Sequence, residues 1–360
     1  MEGCPVTDPS VTQPICSIVP PYILTRLAAA EDPSRAAAAA AARRALTAVG
    51  TLEAVRSVPR QAPAPGSGTA FTPSLRRVVS DAANQEELPG TVVRSEGGPA
   101  TGDAAADETY DGLGATYRLF SEAYGRSSLD GAGRSLEATV HYGRDYDNAF
   151  WDGSRMVLGD GDGEVFERFS KSLTVIGHEL AHGLIQYTAQ LAYRDQAGAL
   201  NESVADVFGV LVEQLALGQT AAEAQWLVGA EIFTPEVGGR ALRSLKAPGT
   251  AYDDDVLGRD PQPATMDGYV QTTADNGGVH INSGIPNHAF YLVAEALGGH
   301  AWERAGQIWY DTVTERNFPT DATFAVFAGA TVTAAEKRYG AGSEETTAVQ
   351  RAWKDVNVMV

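Results

Sequence analysis

HELAHGLIQYTAQLAYRDQAGALNESVADVFG, residues 178–209, is the stretch on which the reading of this chain turns. His178 and His182 are four residues apart, so on a helix their imidazoles share a face and can converge on one metal ion. Glu179 projects beside them, where it can act on a water activated at the metal without being a ligand. A catalytic zinc takes three protein ligands and leaves one position open. The short HExxHxxGxxH pattern does not supply the third, because Ile185 and Thr188 stand where it needs Gly and His. Asn201-Glu202-Ser203-Val204-Ala205-Asp206 lies further on, along a predicted helix, with Glu202 and Asp206 on one face. Glu202 fits as the third ligand. Asp206 fits as the carboxylate that accepts the free N–H of a ligating imidazole and so fixes its tautomer. One Zn2+ is the expected cofactor.

The surrounding composition sets bounds. The 360 residues carry a formal net charge of −19, with 44% hydrophobic residues, and the isoelectric point is near 4.7. Such a balance argues against nucleic acid or an anionic membrane as the main partner. No uncharged apolar run approaches the roughly 18 residues of a membrane span. Met1-Glu2-Gly3-Cys4-Pro5 lacks a basic segment leading into an apolar one, so no secretory signal is visible. The expectation is an intracellular protein, or one secreted by a non-classical route or with the help of an upstream segment. The cysteines are Cys4 and Cys16. The body of the chain therefore cannot rely on an internal disulfide, and two thiols are preferred over a Cys4–Cys16 bridge.

Composition also divides the chain. Residues 1–57 form an N-terminal segment in which Asp32-Pro33-Ser34 precedes an alanine run, predicting a helix from about 33 to 56. Residues 58–75, with Pro59, Pro63, Pro65, Gly66 and Gly68, read as a protease-accessible linker. Residues 76–198 read as a β-rich half, with a strand at 136–142 and a helix near 106–124, and residues 199–360 as a helical half. Helices are expected near 171–190, 199–217, 284–297, 301–315 and 322–339. The fold class is α+β, with the metal helix at the junction of the halves.

The 178–209 stretch resembles the thermolysin family of zinc endopeptidases without a gap. Asp147-Asn148-Ala149-Phe150-Trp151, Ala241-Leu242-Arg243-Ser244 and the run from Asp275 to Gly284 are similar to the same family. The resemblance covers the chain from about residue 75 onward. It implies a two-domain enzyme with its site between the halves, acting on peptides as a monomer at neutral pH. It implies that His280 and Tyr193 donate to the oxyanion and that Asp275 orients His280. It places Asn148 and the Ala149 backbone on an extended substrate, and Arg243 on the carbonyl just after the scissile bond. Phe166, Val175 and Leu242 would line the next side-chain pocket, so cleavage before Leu, Phe, Ile or Val is expected. His141, His288 and His300 are left as structural or surface residues.

Departures from the family pattern carry their own expectations. The family's paired calcium site would fall on Thr174, Glu213, Gln225, Leu227 and Ala230, where only Glu213 keeps a carboxylate; no calcium is expected there. Asp160-Gly161-Asp162 and Asp253-Asp254-Asp255 read as solvated turns. Cys16-Ser17-Ile18-Val19-Pro20-Pro21-Tyr22-Ile23-Leu24 resembles the short prosegment of protealysin-like family members, implying an inhibitory segment across the cleft that is removed by cleavage within 58–75. A flexible tail is the alternative. Cys16 as a thiolate cap on zinc is weighed against simple packing of the Pro-Pro-Tyr run, and packing is preferred. A zinc-binding but inactive partner protein is the alternative function, and intact Glu179, Tyr193, His280 and Asp275 argue against it.

Overall fold

The computed structural model describes residues 16–55 and 75–359. Cys4 and the expected cleavage linker up to residue 74 lie outside the described residues.

The N-terminal segment is built around two helices. Helix α1 (Pro21–Ala28) starts on a proline, whose missing N–H and fixed φ suit a first helical position. Helix α2 (Ala36–Val55) follows a 3₁₀ turn capped by Asp32, which accepts from the Ser34 N–H. Its alanines at 38, 42, 45 and 48 are buried, so the smallness of the stripe allows close approach to α1. Ile18, Val19, Ile23, Leu24 and Leu27 are buried in the same continuous core as the body's own side chains. Each is worth about 1.5–3 kcal/mol of apolar burial as an upper estimate.

The first half of the body holds a five-stranded sheet, β1 (Arg77–Asp81), β2 (Thr91–Ser95), β3 (Leu136–Val140), β4 (Ala149–Trp151) and β5 (Met156–Leu158), in the order β2-β1-β3-β5-β4. The β1–β3 and β3–β5 pairs are parallel, whereas β2 and β4 run antiparallel to their neighbours. Edge strand β4 is met by the N-terminal segment, through an antiparallel bridge between Ser17 and Phe150. Helix α3 (Ala104–Arg118), capped by Asp103, packs under β1 and ends in a π-helical turn at Leu119–Ala123.

Helices α4 (Leu173–Tyr187) and α5 (Asp195–Leu217) form the junction and make the most extensive helix–helix contact among the described residues. Two glycines set their spacing. A Cβ on Gly177 would sit 2.9 Å from Gly209 Cα, and one on Gly209 would sit 2.6 Å from the Thr174 carbonyl oxygen. The 198/199 division expected from composition falls inside α5. The remaining helices are α6 (Asp275–Asn282), α7 (Gly284–Leu297), α8 (Ala305–Val313), α9 (Phe324–Tyr339) and α10 (Glu344–Asp355). Helices α1, α6 and α10 were not expected, and the helix expected over 301–315 is shortened to Ala305–Val313. No helix among the described residues is long and apolar enough to cross a membrane.

Candidate active site

Helix α4 presents His178, Glu179 and His182, and α5 crosses it closely enough to add Glu202. The His178 and His182 Nε2 atoms are 3.0 Å apart. Each lies 3.6 Å from a Glu202 carboxylate oxygen. The outer ring nitrogens are committed: His178 Nδ1 lies 2.8 Å from Asp206 Oδ1, and His182 Nδ1 lies 2.9 Å from Asn201 Oδ1. Asn201 donates its own amide to the Leu191 carbonyl over 2.9 Å, so its oxygen is the acceptor and His182 Nδ1 carries the proton. With both Nδ1 atoms donating, the two Nε2 atoms hold lone pairs and cannot hydrogen-bond each other. Two facing lone pairs beside a buried carboxylate, whose Oε2 has no hydrogen-bond partner among the described residues, make a donor set that fits a zinc ion.

The electrostatics agree with this assignment. Burial holds the His182 pKa down to about 3, which keeps the ring neutral as a ligand must be. Burial alone would raise Glu202, but His280 foremost outweighs it and keeps the carboxylate below its ordinary value. Glu179 is fully buried and both of its oxygens lack hydrogen-bond partners among the described residues. Burial, and then the charge of Glu202, lift its pKa well above the carboxylate range.

Opposite stands His280. Four successive left-handed residues, Asp275 (φ 53), Asn276 (φ 50), Gly277 (φ 91) and Gly278 (φ 77), open α6 with a tight reversal. At Gly277 a Cβ would meet the Asp195 carboxylate at 2.4 Å, so only glycine fits. The reversal sets Asp275 beneath His280, with Oδ1 2.6 Å from Nδ1 and Oδ2 accepting the His280 backbone N–H over 2.9 Å. Burial works against charge on His280, but Asp275 and then Glu202 lift its pKa to about 9. Tyr193 donates to Glu202 over 2.6 Å, and its hydroxyl lies 3.3 Å from His280 Nε2.

Arg243 is fully buried and bidentate to Asp206, with Nε and Nη2 each donating over 2.8 Å. Asn287 donates to the same carboxylate over 2.9 Å. The remaining arm of Arg243, Nη1, donates to the Ile18 carbonyl over 3.0 Å. The other residues assigned to substrate meet the same stretch of chain. The Ile18 N–H donates to the Ala149 carbonyl over 3.0 Å, the Val19 N–H to Asn148 Oδ1 over 2.9 Å, and His280 Nε2 to the Ser17 carbonyl over 3.0 Å. Phe166, Val175 and Leu242 are buried in the core that also takes Ile18. The N-terminal segment therefore lies along the cleft in the way an extended peptide would.

Several expectations need correction or extension. Cys16 packs as expected, against Tyr193 and Val279, and its sulfur also lies within 4.8 Å of ligand atoms of His182 and Glu202. The antiparallel pairing of 17–19 against β4 is what delivers the preceding side chain to His182 and Glu202. The acidic turns are structural rather than simply solvated. Asp162 Oδ1 accepts the N–H groups of Glu164, Val165 and Phe166, and Asp254 those of Gly238, Val256 and Leu257. Asp160 binds His141, whose other ring nitrogen lies 3.2 Å from Asp103. At the calcium-type position the Thr174 hydroxyl accepts the Gly229 N–H over 2.9 Å. Glu213 is raised to about 7, by burial first and by neighbouring Glu231 second. Asn201 and Asn287 were given no role from sequence; only their positions on α5 and α7 show what they hold.

A model of the thermolysin metallopeptidase catalytic domain matches residues 71–186, and one of the thermolysin metallopeptidase alpha-helical domain matches residues 189–358. An extracellular metalloprotease of Pectobacterium carotovorum subsp. carotovorum is 48% identical over 97% of this chain and 98% of its own. Protease PrtS of Photorhabdus sp. (strain Az29) is 51% identical over 80% of this chain and 77% of its own. Among solved structures, the precursor of protealysin, a metalloproteinase from Serratia proteamaculans, superposes with a TM-score of 0.86 at 48% identity, covering 96% of this chain and 100% of that one.

Proposed function

The chain belongs to the thermolysin family of metallopeptidases and is a metalloendopeptidase; from that premise we propose that His178, His182 and Glu202 hold its zinc, that it cuts before bulky apolar residues, and that residues 16–55 keep it latent. The observation that carries the metal assignment is the pair of facing Nε2 atoms, 3.0 Å apart, each with its Nδ1 already donating.

Zinc bound there supplies Lewis-acid polarisation of the carbonyl and lowers the pKa of water to about 7. Glu179 takes a proton from the attacking water and passes it to the leaving nitrogen; its raised pKa suits a group that must hold the proton between the two transfers. Cationic His280 already donates to the Ser17 carbonyl, and the Tyr193 hydroxyl, 3.3 Å from His280 Nε2 and donating to Glu202 in the precursor, would turn to the oxyanion as it develops; losing either donor should cost about 10²–10³ in turnover. Arg243, Asn148 and Ala149 bind backbone, which gives affinity without sequence preference. Preference comes from the side-chain position filled by Ile18 in the precursor, which Phe166, Val175 and Leu242, buried in the same core, would line.

Latency is supported by the occupation of these same groups by residues 17–19. Residues 58–75 are the proposed cleavage region. We expect a monomer, tested by light scattering, and an extracellular place of action, supported by the naming of the Pectobacterium relative and tested by assaying medium and cells. Calcium binding at the Glu213 position remains disfavoured, since the family's other positions there carry Thr174, Gln225, Leu227 and Ala230, and Glu231 is the one carboxylate that raises Glu213. Marked thermal stabilisation by millimolar calcium, lost in Glu213→Gln, would overturn that.

The decisive experiment is Glu179→Ala in enzyme freed of its prosegment. Casein hydrolysis should fall to background while zinc content stays unchanged. Retained hydrolysis would refute the proton-transfer role, and a peptide library cut before charged residues would refute the pocket.

A further inference from the structure

Residues 16–19 meet the cleft in a definite register. The Ser17 carbonyl is the one that reaches an oxyanion donor, accepting from His280 Nε2 over 3.0 Å. The nitrogen of that same peptide group belongs to Ile18, and it donates to Ala149 over 3.0 Å. The next carbonyl, that of Ile18, is fixed by Arg243 over 3.0 Å, and the Ile18 side chain is fully buried. An inhibitory segment escapes cleavage by running backwards, by keeping its peptide groups away from the oxyanion donors, or by excluding the attacking water. The first two routes are closed by this register. The third is open, because the Cys16 sulfur stands within 4.8 Å of ligand atoms of His182 and Glu202.

Resting on the zinc-site reading above, we propose that residues 16–19 are bound as a substrate, with Ser17–Ile18 in the scissile position, and that the Cys16 thiol is what spares this bond. A sulfur at the open metal position leaves no place for the water. With the sulfur gone, the reaction balances as simple hydrolysis. The hydroxyl of one water adds to the Ser17 carbonyl carbon and the C–N bond breaks. Glu179 carries the two protons of that water in turn to the Ile18 nitrogen, leaving a carboxylate on Ser17 and an ammonium on Ile18. No oxidant or further reactant enters. The enzyme thus contains a second cleavage site for itself, distinct from the linker and masked by one side chain.

The test uses the full-length, zinc-loaded precursor. Cys16→Ala and Cys16→Ser should each lose the intact mass and yield a product beginning at Ile18, at a rate independent of protein concentration. Wild type and Cys16→Ala with Glu179→Ala should stay intact at that bond. A second measurement needs no turnover: a synthetic peptide of residues 14–28 should bind the prosegment-free Glu179→Ala enzyme in calorimetry, with binding lost on Ile18→Asp. If the Cys16 variants retain zinc and cut casein while Ser17–Ile18 stays whole, the proposal is overturned and the zinc-site reading survives. If neither casein nor Ser17–Ile18 is cut in folded, zinc-replete Cys16 variants freed of the linker, the zinc-site reading itself fails. If the peptide binds equally well with Ile18→Asp, the register is wrong.

Discussion

Replacing Asp206 with asparagine perturbs the site at its most connected point. The carboxylate is fully buried and takes His178 Nδ1, two Arg243 nitrogens and the Asn287 amide, at 2.8, 2.8, 2.8 and 2.9 Å. Asparagine keeps the shape but removes the charge and turns one acceptor into a donor facing donors. Two losses follow and can be separated. First, Arg243 becomes a buried cation without its partner, which costs about 3–5 kcal/mol of folding stability. Second, His178 loses the acceptor that fixes its tautomer, which costs about 10–100-fold in metal affinity, equivalent to about 1.4–2.8 kcal/mol. The first is read by urea unfolding of the metal-free protein and the second by chelator competition for zinc. Adding Arg243→Met removes the stranded charge, so stability should recover in the double variant while the zinc deficit persists. Zinc affinity unchanged in Asp206→Asn would refute the claim that this carboxylate orients His178. Failure of the double variant to recover would show that Arg243 is not the source of the instability.

Gly209→Ala should destabilise by about 1–3 kcal/mol through overpacking at the α4–α5 crossing, and should weaken zinc binding as well, because Glu202 rides on the displaced helix; a folded variant with unchanged zinc affinity would count against that coupling. The His141 bridge to Asp160 and Asp103 predicts a pH effect of definite sign. Its pKa is raised to about 9, by the Asp160 hydrogen bond first, while burial opposes. The stabilisation is therefore complete below the ordinary histidine value of about 6.5 and is lost as pH climbs through 9. The bridge is partly solvated, which limits it to about 1 kcal/mol. Wild type should lose melting temperature over this range more steeply than His141→Gln; parallel curves would refute it.

What could be read from the chain follows physical range. His178, Glu179, His182, Glu202 and Asp206 lie on two helices whose internal periodicity is local, so their shared faces were visible as spacing. Asn201 sits in the same motif but was silent, because its use depends on how α5 is rotated against α4. That rotation is set by contacts such as Gly177 with Gly209, which periodicity does not encode. The approach of Cys16 to His182 and Glu202 was silent for a different reason. Its position follows from residues 17–19 pairing with β4, across more than a hundred residues of chain, and nothing in Pro20-Pro21-Tyr22 announces that pairing. Helix α1 was hidden by its prolines, which mark a start as readily as a break. Helix α10, in Glu344–Asp355, was hidden by its threonines and low apolar content, although Val349, Ala352 and Trp353 bury one face of it.

Ile18, Val19, Ile23, Leu24 and Leu27 sit in the same core as the body's own interior. Taking the N-terminal segment away would leave a folded protein with a slot cut into its interior, lined for apolar side chains and edged by a strand short of a neighbour. Seen so, recognising a substrate is the last step of the enzyme's own folding, carried out with borrowed residues. Any chain able to lend an apolar side chain and a few extended peptide groups completes the interior for a moment. The matured protein should accordingly unfold more easily than its precursor, and regain much of that stability whenever an uncleavable peptide fills the gap.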